Sequence, residues 1–194
     1  YYWDVNLAHS RNKADQDNFG SYNARHIVEA LGDPAACAAI AGCTPLDIFG
    51  FGTITPAMLA WISPTFHDRS EQTLTQFTAN LSGDMFELPA GPMSFATGVE
   101  YRKYKGSYDP DPMTVAGEYN GVPSLPTEGE YDVNELYLEV NIPILKDSAW
   151  GKQMDVNIAG RYSDYSTFGG EFTPKIGLRW QLVDEFTIRA SYAE

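Results

Sequence analysis

The chain has 194 residues, 26 acidic against 13 basic, a net charge of −13 and two cysteines. That length is ordinarily one domain. The charge repels phosphate backbones and excludes nucleic acid as a partner, and two thiols alone cannot complete a four-ligand structural zinc site.

An aromatic content of 13% is too high for a disordered acidic tail. No apolar run approaches the roughly 18 residues of a membrane helix. The mean hydropathy of −0.31 resembles that of a water-soluble protein, but a transmembrane β-strand alternates lipid-facing and lumen-facing residues, so a barrel scores the same way. There is no initiator Met, signal peptide or lipidation motif, and the chain reads as a piece of something longer.

In chain order, "YYWDVNLAH" sets Trp3, Val5 and Leu7 against Asp4 and Asn6, a strand by its period of two. A long connection over about 9–68 follows. Within it, "YNARHIVEALG" spaces Ala24, Ile27, Val28 and Leu31 along one helical face and stops at Gly32, and "TPAMLAWI" opens a second helix with Thr55 as N-cap and Pro56 at the first helical position. Between them lies "CAAIAGC". In an oxidising compartment, Cys37 and Cys43 are expected to close one small-loop disulfide, worth about 2 kcal/mol by the chain-entropy model.

"QFTANLSGDMF" sets Phe77, Ala79, Leu81 and Met85 against polar neighbours, and after the short turn "ELPAGP" (87–92), "SFATGVEYR" sets Phe95, Val99 and Tyr101 against Glu100 and Arg102. A second long connection covers about 105–130. "ELYLEVNI" follows, with Leu136, Leu138, Val140 and Ile142 on one face. Tyr131 and Val133 are out of step with Leu136, which predicts a bulge near Asn134.

After "LKDSAW" (145–150), "QMDVNIAGRYS" alternates Met154, Val156, Ile158 and Tyr162 with Asp155, Asn157 and Arg161. Beyond "TFGG" (167–170), the even residues from Phe172 to Leu182 are apolar. A last run after "VDE" (183–185) alternates Phe186, Ile188, Ala190 and Tyr192 with Thr187, Arg189 and Ser191.

These are about seven strands, many of 10 to 12 residues, where a globular strand has about 5 or 6 and a membrane-crossing one about 9 to 11. Alternating the connections between two sides puts both long loops and the Gly169-Gly170 turn on one side and only tight turns on the other, the asymmetry of outer-membrane barrels. Trp150 and Trp180 near the short turns, with Tyr162, Tyr165, Phe168 and Phe172 at the opposite end, form two aromatic bands.

The motifs "CTPLDIFGFGTITPAMLAWI", "SGDMFELPAGPMSFATGVEYRKY", "GEYDVNELYLEVNIPIL" and "GRYSDYSTFGGEFTPKIGLRWQLVDEFTIRASYAE" resemble the central barrel of TonB-dependent outer-membrane receptors, most strongly a large proteobacterial subgroup. The resemblance covers nearly the whole chain and is best from Leu81 onward. It implies an all-β fold: an antiparallel transmembrane β-barrel segment, about seven strands of a 22-stranded barrel, with long extracellular loops carrying short helices. Residues 1–194 would be a partial barrel domain that lacks the plug and the remaining strands. The implied location is the cell outer membrane, and the implied work is uptake of a scarce nutrient, a glycan or a ferric siderophore, with TonB-delivered energy. The implied partners are the receptor's own plug domain, TonB through the missing N-terminal region, outer-membrane lipid, and a small-molecule or oligosaccharide ligand.

Neither an enzyme nor a cofactor is expected. His9, His26 and His67 have no metal-protease spacing. His67, Asp68 and Ser70 do not form a triad, because neighbours on a strand point to opposite faces. In the acidic loop "KGSYDPDPMTVAGEYNGVPSLPTEGEYD", "DPDP" lacks the spacing of an EF-hand; Tyr108, Asp109, Asp111, Glu118 and Tyr119 are the candidate ligand contacts, suited to stacking and hydrogen bonding on a sugar. Glu100, Arg102, Glu135, Glu139, Asp155, Arg161, Lys175 and Arg179 are expected on the lumen side, facing a plug.

Two other readings remain, a passive porin and a secreted, soluble, carbohydrate-binding β-sandwich. Met154, Ile176 and Trp180 separate the sandwich from both barrels, since a second sheet would bury them.

Overall fold

A computed structural model describes residues 1–194. Seven antiparallel strands form one sheet in chain order: β1 (Tyr2–Asn18), β2 (Phe66–Leu88), β3 (Gly91–Asp109), β4 (Thr127–Ser148), β5 (Gly151–Tyr165), β6 (Gly169–Val183) and β7 (Phe186–Ala193). The β1–β2 and β3–β4 connections are long, and β2–β3, β4–β5 and β6–β7 turn in two residues each. The turns Pro89-Ala90 and Ala149-Trp150 are each followed by a glycine, Gly91 at φ 130° and Gly151 at φ 141°, conformations that side chains disfavour.

The strands outrun the sequence expectation. The first four have 17, 23, 19 and 22 residues. The extra length lies in stretches such as Arg11–Asn18 and His67–Gln72, which are polar on both faces. With water on both sides, a strand has no apolar face and loses the alternation that reveals it.

The bulge expected near Asn134 is absent from the β4–β5 ladder. Pairing runs unbroken from Val133↔Tyr165 to Pro143↔Asp155 and slips between Pro143 and Leu145, beside a proline that has no N–H to donate. Val133, 1% exposed, simply shares the polar face with Glu135, so the change in polarity at that point is not a change in phase.

The chain divides into two compact units. The first comprises residues 1–10, 73–105 and 130–194, the amphipathic sheet. There, Val133 apart, large apolar side chains are the open ones: Leu136 is 55%, Leu138 52%, Ile176 50% and Phe172 64% exposed, while Glu135, Asp155 and Ser163 are buried. No second sheet covers Met154, Ile176 or Trp180.

The second unit comprises residues 11–72 and 106–129. It buries Ala30 of α1 (Ala24–Leu31), Cys37 of α2 (Pro34–Ala38), Ile62 of α3 (Pro56–Ile62) and Phe66 at the start of β2. Asn23 caps α1 by accepting from His26 N, Gly32 stands at its C-cap, and Thr55 caps α3 with Pro56 in its first turn. The face of α1 is not the one expected, since Val28 and Leu31 are exposed and Ala30 is buried. α2 and α4 (Pro112–Val115) went unread although each has an Asp cap, Asp33 or Asp111, followed by proline. Cys37 and Cys43 form the expected disulfide.

Candidate functional site: the charged sheet face and the loop cluster

On the amphipathic sheet, period two places Gln76, Glu100, Arg102, Glu135, Tyr137, Arg161 and Ser163 on one face. Glu135 is their centre. Its Oε2 accepts from an Arg102 guanidinium nitrogen at 2.7 Å and lies 3.6 Å from Arg161, and its Oε1 accepts from Ser163 Oγ at 2.6 Å. Arg102 Nε is 3.4 Å from Glu100, which accepts from Gln76 at 2.7 Å. Arg161 lies over the Tyr137 ring at 5.6 Å, within cation–π range. The Tyr137 hydroxyl donates to Asn80, which donates in turn to Asp4. A charge this deeply buried is sustained by pairing plus hydrogen bonds to the remaining lone pairs, and Glu135 has both.

A second group lies on β4, β5, β6 and β7. Asp155 sits opposite Arg179, 3.3 Å from its guanidinium, and Arg179 is itself paired across the ladder with Arg189. Two arginines directly opposite repel, and Asp155 offsets that repulsion. Glu139 accepts from Asn157 at 2.8 Å, and Lys175 joins these residues around a polar depression of about 590 Å3.

The eight charged residues expected on one face therefore fall into two clusters. Gln76, Asn80, Tyr137, Ser163 and Arg189 belong with them and were not singled out. Sequence position gave the face of each, but uncharged polar residues and a lone arginine carry no signal of their own.

The loop candidates take different places. Asp111 is buried; it caps α4 and accepts from His67 N at 2.9 Å. Glu118 ion-pairs with Arg25 at 2.9 Å and accepts from Asn23 at 3.1 Å, and Tyr119 packs on Phe66 with ring centroids 4.9 Å apart. Desolvation, with Asp68 nearby, raises the Tyr108 hydroxyl above its usual range. Asp109 is exposed and borders a depression of about 430 Å3 with Lys13, Arg69 and Glu71. Sequence proximity thus grouped residues whose side chains serve internal contacts as well.

Sequence reading took the tip "IFGFG" only as part of a family motif, and there Phe49 and Phe51 stand fully exposed. An Asx turn, Phe49 N to Asp47 Oδ1, and Thr53 Oγ1 bonded to the carbonyls of Asp47 and Gly50 hold its shape.

His67 and Asp68 do not meet: His67 Nδ1 pairs with Asp17, whereas Asp68 accepts from Asp111 N and Asn18. No group of three or more His, Cys, Asp or Glu side chains is arranged to hold a metal ion, and no helix is long and apolar enough to cross a membrane.

A family model described as TonB dependent receptor-like, beta-barrel, matches residues 1–194. Among curated proteins nothing matches. That family consists of outer-membrane nutrient receptors and transporters, not enzymes. With its seven-stranded antiparallel sheet, this chain belongs to the TonB-dependent receptor β-barrel family.

Proposed function

We propose that the chain forms part of the wall of a closed outer-membrane barrel that imports a scarce nutrient with TonB-delivered energy. The observation that carries this reading is the inverted burial of the sheet, with apolar side chains exposed and Glu135 and Asp155 buried. Hydrocarbon is the solvent that makes an exposed Leu138 and Ile176 favourable. Phe172 and Trp180 are eight residues apart on β6, about 27 Å along the strand, which suits the apolar band of such barrels once the strand tilts. On this reading, the Glu135 and Asp155 clusters face the lumen and a plug domain, and the unpaired outer edges of β1 and β7 are continued by further strands.

Of the two ligand kinds, an uncharged glycan is the better supported. The loop-bearing unit carries four Lys or Arg against eleven Asp or Glu, which disfavours an anionic ferric chelate. Exposed Phe49 and Phe51 offer stacking surfaces, and Tyr108 and Asp109 offer hydrogen bonds. The test is uptake by cells carrying the full receptor, of neutral oligosaccharides and of ferric citrate, with and without a protonophore. Protonophore-sensitive oligosaccharide uptake is expected. Uptake that survives the protonophore would make the barrel a passive pore, and uptake of ferric citrate alone would overturn the ligand choice.

A further inference from the structure

The β1–β2 connection (19–65) and the β3–β4 connection (110–126) are far apart in sequence, yet they are stitched by backbone and side chain together. Ala24 N donates to Glu118 O at 2.6 Å and Asn120 N to Tyr22 O at 3.0 Å, and Asn23 forms an isolated bridge with Tyr119. The Asn120 side chain accepts from Tyr22 N at 3.0 Å, and Arg25 ion-pairs with Glu118.

At the centre is Asn23, with no exposed surface. Its Oδ1 accepts from His26 N and caps α1, while its Nδ2 donates to Glu118 Oε2 and lies 3.2 Å from Met113 Sδ. Its own N–H donates to Ile62 O at the end of α3. One buried amide thus joins the start of α1, the end of α3 and the segment around α4. A buried amide whose donors and acceptor are all engaged is costly to disturb at any one point, because opening one connection strands polar groups on the other.

From these contacts we infer that the two long connections form a single cooperative unit that orders and loosens as one body, with Asn23 as its keystone. A ligand that engages either connection then orders both, and neither samples an open state alone. The inference goes beyond the transport reading and holds whichever ligand is carried.

Asn23→Asp is the sharpest probe, because it keeps the oxygen that caps α1 and removes the donor to Glu118 and Met113. Hydrogen exchange on the full receptor in outer membranes is expected to speed about tenfold or more at Ala24 and at Asn120 together, with β5 and β6 unchanged. Val122→Ala, on the exposed part of the same connection, is expected to change neither. Faster exchange over 112–121 while 22–31 keeps its protection, or no change in either, would overturn the inference.

Should Asn23→Asp fail to assemble, Glu118→Gln serves, since it keeps an acceptor for Asn23 and loses the Arg25 ion pair. A smaller acceleration, about threefold, is expected in both connections, and acceleration confined to one would again overturn the idea. Sugar or chelate uptake is a separate readout, so failure of the transport reading leaves this test intact.

Discussion

In residues 1–10, 73–105 and 130–194 the strands leave Leu136, Leu138, Ile158 and Ile176 open and bury Glu135, Asp155 and Ser163. Residues 11–72 and 106–129 bury the polar Asn23 and Asp111 and leave Phe49 and Phe51 open, but they also hold a small apolar core. Ala30, Cys37, Ile62 and Phe66 are buried, and the strand ends carry Arg11, Lys13, Asp15 and Asp17 in the open. The same β1 and β2 run through both regimes. The second region obeys the rule for a protein in water, where apolar burial drives assembly; the first obeys the rule for a protein in hydrocarbon, where polar backbone and charges must be satisfied within the protein. A change of solvent along one strand accounts for both patterns without any change in backbone conformation.

The strongest way to break this contrast is to put a charge on the open apolar face. Leu178→Arg is expected to lose about 2–4 kcal/mol if the site lies near the bilayer midplane. The folded fraction, read as the heat-shifted band of the full receptor, should fall sharply. Val115→Arg, in the water-facing region, should leave the band unchanged. Equal behaviour of the two variants would erase the distinction between the regions.

Next in size is Glu135→Ala. It leaves Arg102 and Arg161 without their shared carboxylate and Ser163 without its acceptor, and a loss of about 2 kcal/mol is expected. Both guanidiniums are partly exposed, which keeps the cost below that of a fully buried pair. Urea unfolding of the full receptor in detergent micelles measures it, and Glu71→Ala, among exposed ion pairs, is the comparison that should move little.

The first region was legible because hydrocarbon on one side and charge on the other write a period of two into the sequence. Seven strands, both tight-turn and long-loop sides, and the shared face of Arg102, Glu135, Arg161 and Arg179 follow from that period. Where it fades, so did the reading. Arg11–Asn18 looked like loop because both faces are polar, and Val133 looked like a phase break because one apolar residue sits on the charged face. Asp111 was read as a ligand contact because acidity is visible in a sequence. Its work as the cap of α4, signalled only by the following Pro112, is local geometry. The Asn23 linkage joins residues some 90 positions apart, and nothing in the spacing announces it.

The disulfide offers a smaller effect confined to the second region. Cys37→Ser with Cys43→Ser removes a cross-link of about 2 kcal/mol in the chain-entropy model, spent mostly on the segment around α2. Chymotrypsin cleavage at Phe49 and Phe51 of the membrane-embedded receptor should quicken, while the heat-shifted band persists. Loss of that band would mean that the two regions are less independent than their opposite burial suggests.

The least effect is expected from acid. The Arg11 guanidinium, with Lys13 nearby, holds the Glu71 carboxyl below its ordinary 4.5. A depressed carboxyl favours the folded arrangement fully above 4.5 and ceases to do so as pH falls through its lower folded midpoint. Amide protection over 11–18 and 66–72, corrected for intrinsic exchange, should therefore weaken slightly from about pH 6 to about pH 3. Because these groups are open to solvent, the change should shrink in high salt. A large, salt-insensitive loss at low pH would place these pairs out of water and contradict the regime assigned to residues 11–18 and 66–72.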